Sequence, residues 1–246
     1  MEEYLIPIVT FLCLVGAASA SMLIHVRLLS QPVAGDTIAI VRFAVNILLV
    51  MTSVVLGLML NSAKNTFEIN NRNLHALATG VILLDRVLRT LGPEADQAHR
   101  RLVEYTRTAL DGVHILEADQ QAEASLDAAG ASLRAIKVSD DRKLALWNDA
   151  TQIYRQVVRD RWIVVDAAGG TIPSPLIIGL IVWLAVIFAG MGFGTPRNAV
   201  VTTTFVVTAM LLSSALYLVL EMDRPSSGLI RISSAPFERA LAQMQR

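Results

Sequence analysis

The chain of 246 residues is 54% hydrophobic and only 17% charged, with a mean hydropathy of +0.52. Soluble domains average about 25% charge, so this balance points to a membrane protein. Lys+Arg and Asp+Glu both total 21, which excludes a cationic nucleic-acid binder, and the single cysteine, Cys13, excludes an intrachain disulfide framework or a CxxC metal knuckle.

A membrane-crossing helix needs roughly 20 predominantly apolar residues. Segments 4–24, 38–63, 174–193 and 198–220 meet that requirement. The first contains Ala17-Ala18-Ser19-Ala20, which suits a leader-peptide cleavage site. A leader needs a basic start, however, and this chain begins Met1-Glu2-Glu3, so the segment is read as a span. An even number of spans puts the N-terminus, the insert 64–171 and the tail 221–246 on one side. That side carries Lys64, Arg72, Arg155, Arg159, Arg161, Arg224, Arg231 and Arg239 close to a span. The other side has Arg27 and Arg197, with Arg42 ambiguous. The excess of basic residues predicts that the insert and both termini are cytoplasmic.

The insert reads as helical, and continuous with the second span. Phe67, Leu74, Val81 and Leu88 recur every seventh residue, with Leu77, Leu84 and Leu91 at the second position of the heptad. Gly92-Pro93 breaks this helix and starts the next, whose apolar face holds Leu102, Tyr105, Ala109, Val113 and Leu116. A shorter helix carries Leu126, Leu133 and Ile136. A fourth, N-capped by Ser139, presents Leu144, Trp147, Tyr154, Val158 and Val165. No segment alternates with period two, so the fold class is all-α.

Little in the chain supports catalysis. His25, His75, His99 and His114 form no HExxH and no helical metal-ligand pair, and are read as solvated or interfacial. No nucleophile elbow or Walker loop occurs. Gly190-Met191-Gly192-Phe193-Gly194 follows a span rather than a strand, so it reads as a flexible exit and not a dinucleotide site. Asp140-Asp141 sits at a helix start, where carboxylates suit the dipole. Neither an enzyme nor a cofactor is expected.

The second span carries a pattern. At 100° per residue, Arg42, Asn46, Ser53, Gly57, Asn61, Lys64 and Glu68 fall within an arc of about 100°. Leu49, Val50 and Leu60 share that arc. Polar groups at membrane depth face a bundle interior or water. They therefore act either as glue between helices or as the wall of an ion pathway with apolar constrictions. In the fourth span Thr202, Thr203, Thr204, Thr208, Ser213 and Ser214 read as packing residues that bond their own helix. Glu221 and Asp223 beyond it are too few for a calcium cage, and pairing with Arg224 or Arg231 is the simpler expectation.

The C-terminal run Glu221-Met222-Asp223-Arg224-Pro225, Gly228-Leu229-Ile230 and Ile232-Ser233-Ser234-Ala235-Pro236 resembles the signature of the bacterial bestrophin-like membrane proteins. Other matching pieces are Gly57-Leu58 with Asn61-Ser62-Ala63-Lys64, Leu84-Asp85-Arg86 before Gly92-Pro93, Arg161-Trp162 before Ile172-Pro173, and Thr195-Pro196-Arg197-Asn198. Trp183 with Phe188 fits as well, and Ser226 departs from the aromatic usual there. The resemblance implies a protein of the bacterial inner membrane. More distantly it implies a pentameric anion channel with the second span lining the pore. The partners expected are then the lipid bilayer, inorganic ions and further copies of the chain, with no nucleic acid. Other classes left open are a non-conducting scaffold or signal transducer working through the helical insert, and a binder of lipids or small molecules between spans.

Overall fold

The computed structural model describes residues 2–28, 35–111, 120–138, 140–167, 172–196, 198–223 and 232–245. These form helices α1 (Glu2–Leu28), α2 (Gly35–Leu91), α3 (Asp96–Asp111), α4 (Gln120–Arg134), α5 (Asp141–Ala167), α6 (Ser174–Gly192), α7 (Ala199–Asp223) and α8 (Ala235–Met244). A 3-10 turn at Pro93–Ala95 leads into α3, and Gly92 before it adopts φ +86°, a conformation that favours glycine. No strand occurs among the described residues. Val113, Leu116, Ser139, Arg224 and Arg231 lie outside the described residues.

The chain divides into two compact units, Met1–Asn65 with Thr171–Asp223, and Thr66–Gly170 with Arg224–Arg246. The first unit gathers α1, the start of α2, α6 and α7. Leu14 and Ala18, Met59 and Ala63, Leu180, Leu184 and Phe188, and Ala209 and Leu216 make its core. Its exterior is apolar too, with Leu58, Ile178, Met210 and Leu211 each more than 60% exposed. Water would penalise such a surface heavily and lipid would not. Four helices here are long and apolar enough to cross a bilayer. The protein is an all-α integral membrane protein.

Close contacts set how these helices pack. A Cβ on Gly192 would sit 2.8 Å from the Ala18 carbonyl oxygen, and one on Gly190 2.5 Å from a methyl of Val45. Both glycines lie within α6, so the flexible exit expected there is in fact the place where α6 meets α1 and α2 most tightly. Only Gly194, with φ +71°, belongs to the turn that follows. The Ser213 hydroxyl donates to the Pro7 carbonyl, joining α7 to α1. Thr204 bonds the Val200 carbonyl of its own helix at 2.9 Å. Ser213 is buried, but Thr202, Thr203, Thr204, Thr208 and Ser214 are exposed, so the hydroxyls pack less than the sequence suggested.

The second unit is built on the heptad seam. Leu74, Leu77, Val81, Leu84, Leu88 and Leu91 are buried, and Phe67 is half-buried. Leu102 and Tyr105 of α3, Leu126 and Leu133 of α4, Val157 and Val164 of α5, and Phe237 and Met244 of α8 share their core. Helices of the same chain therefore fill the seam. On α5 the buried face is Ala150, Tyr154, Val157, Arg161 and Val164. That is one position from the expected Val158 and Val165, and Leu144 is exposed. Ala150, Tyr154, Val157 and Val164 form that face at helical spacing, and Arg161 turns inward with them, its guanidinium carbon 5.8 Å from the Tyr105 ring centroid. Burial pushes the Tyr105 phenol up, and the Arg161 charge partly offsets this, so Tyr105 stays neutral. Tyr154 donates to the Leu126 carbonyl at 3.2 Å, and Trp147 to that of Leu133 at 2.9 Å, locking α5 onto α4.

Asp85 ties α8 to this core. It is buried on α2; its Oδ1 accepts Arg89 Nε at 3.3 Å, and Oδ2 lies 3.1 Å away in the same ion pair. His99 Nε2 lies 2.8 Å from Oδ1 without the alignment of a hydrogen bond, so His99, half-buried, stands against this carboxylate rather than free in solvent. Arg89 Nη2 in turn donates to the carbonyls of Gln243, at 3.4 Å, and Met244. A cation there satisfies the orphan carbonyls and the negative end of the α8 dipole together. Asp85→Ala leaves Arg89 unaligned and should cost about 2 kcal/mol, below the range for fully buried pairs because Arg89 is half-exposed. Amide hydrogen exchange in 235–244 should rise first; unchanged protection would remove the clamp.

Candidate functional site on the second helix

Helix α2 runs 57 residues without interruption. The first unit buries only a narrow strip of it, Val45, Thr52, Met59 and Ala63, spaced seven, seven and four residues apart. Val45 is gripped by Gly190, and Met59 and Ala63 sit in the core. Thr52 donates to the Leu48 carbonyl at 2.7 Å, so even the polar member of the strip is satisfied.

This packing fixes the rotation of α2 about its own axis. The centre of the buried strip lies about 120° round the helix from the centre of the polar arc. Arg42, Asn46, Ser53, Gly57, Asn61 and Lys64 are all exposed, as is Glu68 in the second unit. Leu49 and Leu60 are exposed at 43% and 48%, and Val50 at 67%. Exposure thus marks the whole arc, from Arg42 to Glu68. Among the described residues Asn46, Ser53 and Asn61 make no side-chain hydrogen bond, whereas Lys64 and Glu68 do have partners. Gly57 also lacks any packing reason within the protomer, because a Cβ there would meet nothing within 4 Å. Asn46, Ser53 and Asn61 therefore supply no side-chain hydrogen bond between the described helices of one chain.

The expected pairing of Glu221 and Asp223 with Arg224 or Arg231 falls on arginines outside the described residues. Asp223 is buried, and its Oδ2 accepts the Ile172 amide at 3.1 Å, holding the end of α7 to the lead-in of α6. Glu221 is also buried. Both make further contacts. No group of three metal-ligating side chains occurs among the described residues. The sequence missed the role of Asp223, because a carboxylate two residues past a glutamate gives no sign of a partner in another helix.

A family model described as a bestrophin-like domain matches residues 12–237. No curated protein matches the chain in sequence. Among solved structures, a mutant form of a bacterial bestrophin homologue from Klebsiella pneumoniae is similar, at 15% identity over 97% of both chains and a TM-score of 0.60. A crystal structure described only as that of a membrane protein is similar at 15% identity over 96% of both chains, with a TM-score of 0.61. At such identity the likeness shows the fold alone.

Proposed function

We propose that this chain, which belongs to the bestrophin-like family, forms a symmetric homo-oligomeric ion channel whose pathway is lined by the polar face of α2. The observation that carries this reading is the outward exposure of that face in a protomer whose other helices could have covered it. Polar and charged groups pointing into lipid cost several kcal/mol for a charge, and a symmetry axis offers them water instead. Kinship with bestrophins supports a pentamer. Leu49, Val50 and Leu60 would then form apolar constrictions that pass ions only when wetted. Arg42 and Lys64 at the two ends would concentrate anions.

Purified protein in liposomes should carry chloride flux, and its mass in nanodiscs should be a multiple of the 26.7 kDa chain. A monomer, or no flux across a range of pH and salt, would sink the proposal. The basic residues favour an inner-membrane protein with the helical unit cytoplasmic. A cysteine introduced at the exposed Ala145 should accordingly resist impermeant reagents in intact cells. Labelling from outside would reverse the orientation.

A further inference from the structure

We infer that neighbouring copies of the chain meet through two different faces of the second unit, the outer face of α5 on one copy and that of α4 on the next. This rests on the oligomeric reading above. With their inner faces committed to the core, both helices leave an outer row at the same four-residue rise. On α5 the row is Arg155, Arg159 and Ile163; on α4 it is Glu123, Asp127 and Ala131. Side chains four apart on a helix stand about 5–6 Å from one another, so cations and anions match in spacing as well as sign. All six residues are exposed. Arg155, Arg159, Glu123 and Asp127 make no hydrogen bond or ion pair among the described residues.

Beside the basic row stands Trp162, 56% exposed, next to Ile163 at 44%. An indole buries roughly 150–250 Å² when covered, so leaving it in water forfeits one of the largest apolar contributions in the unit. Within the chain α4 and α5 run antiparallel, since Tyr154 bonds Leu126 and Trp147 bonds Leu133, and rotation about a ring axis keeps that sense, so side by side Arg155 meets Asp127 and Arg159 meets Glu123. A lipid surface would suit the tryptophan and arginines but gives the acidic row no role. Two complementary patches on one chain make a head-to-tail contact, the kind that closes into a ring when the rotation between copies is a whole fraction of a turn.

The test uses full-length protein with Cys13 changed to serine. One chain carries Arg159→Cys, a second of different tag length carries Glu123→Cys, and the two are co-expressed. Oxidation should cross-link them as a heterodimer, while neither variant alone cross-links. The pair Arg155→Glu/Arg159→Glu should weaken association on the order of tenfold, and adding Glu123→Arg/Asp127→Arg should restore it. In a Trp147→Phe/Trp183→Phe background, the remaining Trp162 should resist acrylamide quenching in the oligomer. Failure to cross-link with wild-type mass intact would overturn this contact and leave the oligomer standing, whereas monomeric wild type removes both. Quenching of Trp162 by brominated lipid would assign that face to the membrane instead.

Discussion

Lys64→Glu is expected to turn the proposed channel from weak anion preference towards cations. In a ring of identical subunits the change reverses the sign of a whole belt of charge at one mouth of the pathway. Low-dielectric walls focus the field of such a belt, so the cation-to-anion permeability ratio should change on the order of tenfold or more. Lys64 is exposed on α2, so the substitution costs its own surface interaction but disturbs no packed core, and yield should change little. Lys64→Gln should shift the reversal potential in the same direction by less. Glu68, one turn further along, works against Lys64, and Glu68→Gln should move selectivity back towards anions. A reversal potential that ignores all these changes would leave the polar face without a conducting role.

Gly192→Ala should damage folding, while Gly57→Ala should not, although each adds a single methyl group. At position 192 the new carbon would lie 2.8 Å from a backbone oxygen of Ala18, and backbone cannot swing aside as a side-chain tip can. Helices α1 and α6 must therefore separate, loosening the contacts of Leu14, Leu184 and Phe188 around them. Overpacking of this kind costs about 1–3 kcal/mol. At position 57 nothing lies within 4 Å, and alanine is the better helix former by about 0.5–1 kcal/mol. Thermal unfolding in nanodiscs should rank Gly57→Ala at or above wild type and Gly192→Ala clearly below. Equal stability of the two variants would contradict the close packing of α1 on α6. If Gly57 faces the pathway, its alanine variant should fold well yet pass less current, which separates a conduction defect from a folding defect.

Much of the fold was legible in the residues because burial, in lipid or in protein, imposes a local period on a helix. Uninterrupted apolar runs marked the spans, and the spacing of Leu74, Val81 and Leu88 marked a face that is indeed buried. The polar arc from Arg42 to Glu68 was visible in the same way, since it needs only 100° per residue and no knowledge of neighbours. Periodicity nevertheless cannot say which of two faces turns inward when both are plausible. On α2 the choice fell to Val45, Thr52, Met59 and Ala63, and it rested on Gly190 in a helix almost 150 residues away in sequence. The same limit explains the slip of one position on α5. Two apolar faces one position apart compete there, and no local rule shows that Arg161 can be buried with one of them beside Tyr105.

What the sequence by itself determined was membrane residence, the all-α class and the existence of an outlier face on the second span. Each depends on how one segment partitions between water and apolar surroundings. Only the tertiary structure decided that this face is left uncovered, that Asp223 secures Ile172, and that Arg89 caps the end of α8. Those are pairings between groups far apart along the chain. Their energies depend on distance and alignment, and both arise only when the helices have packed.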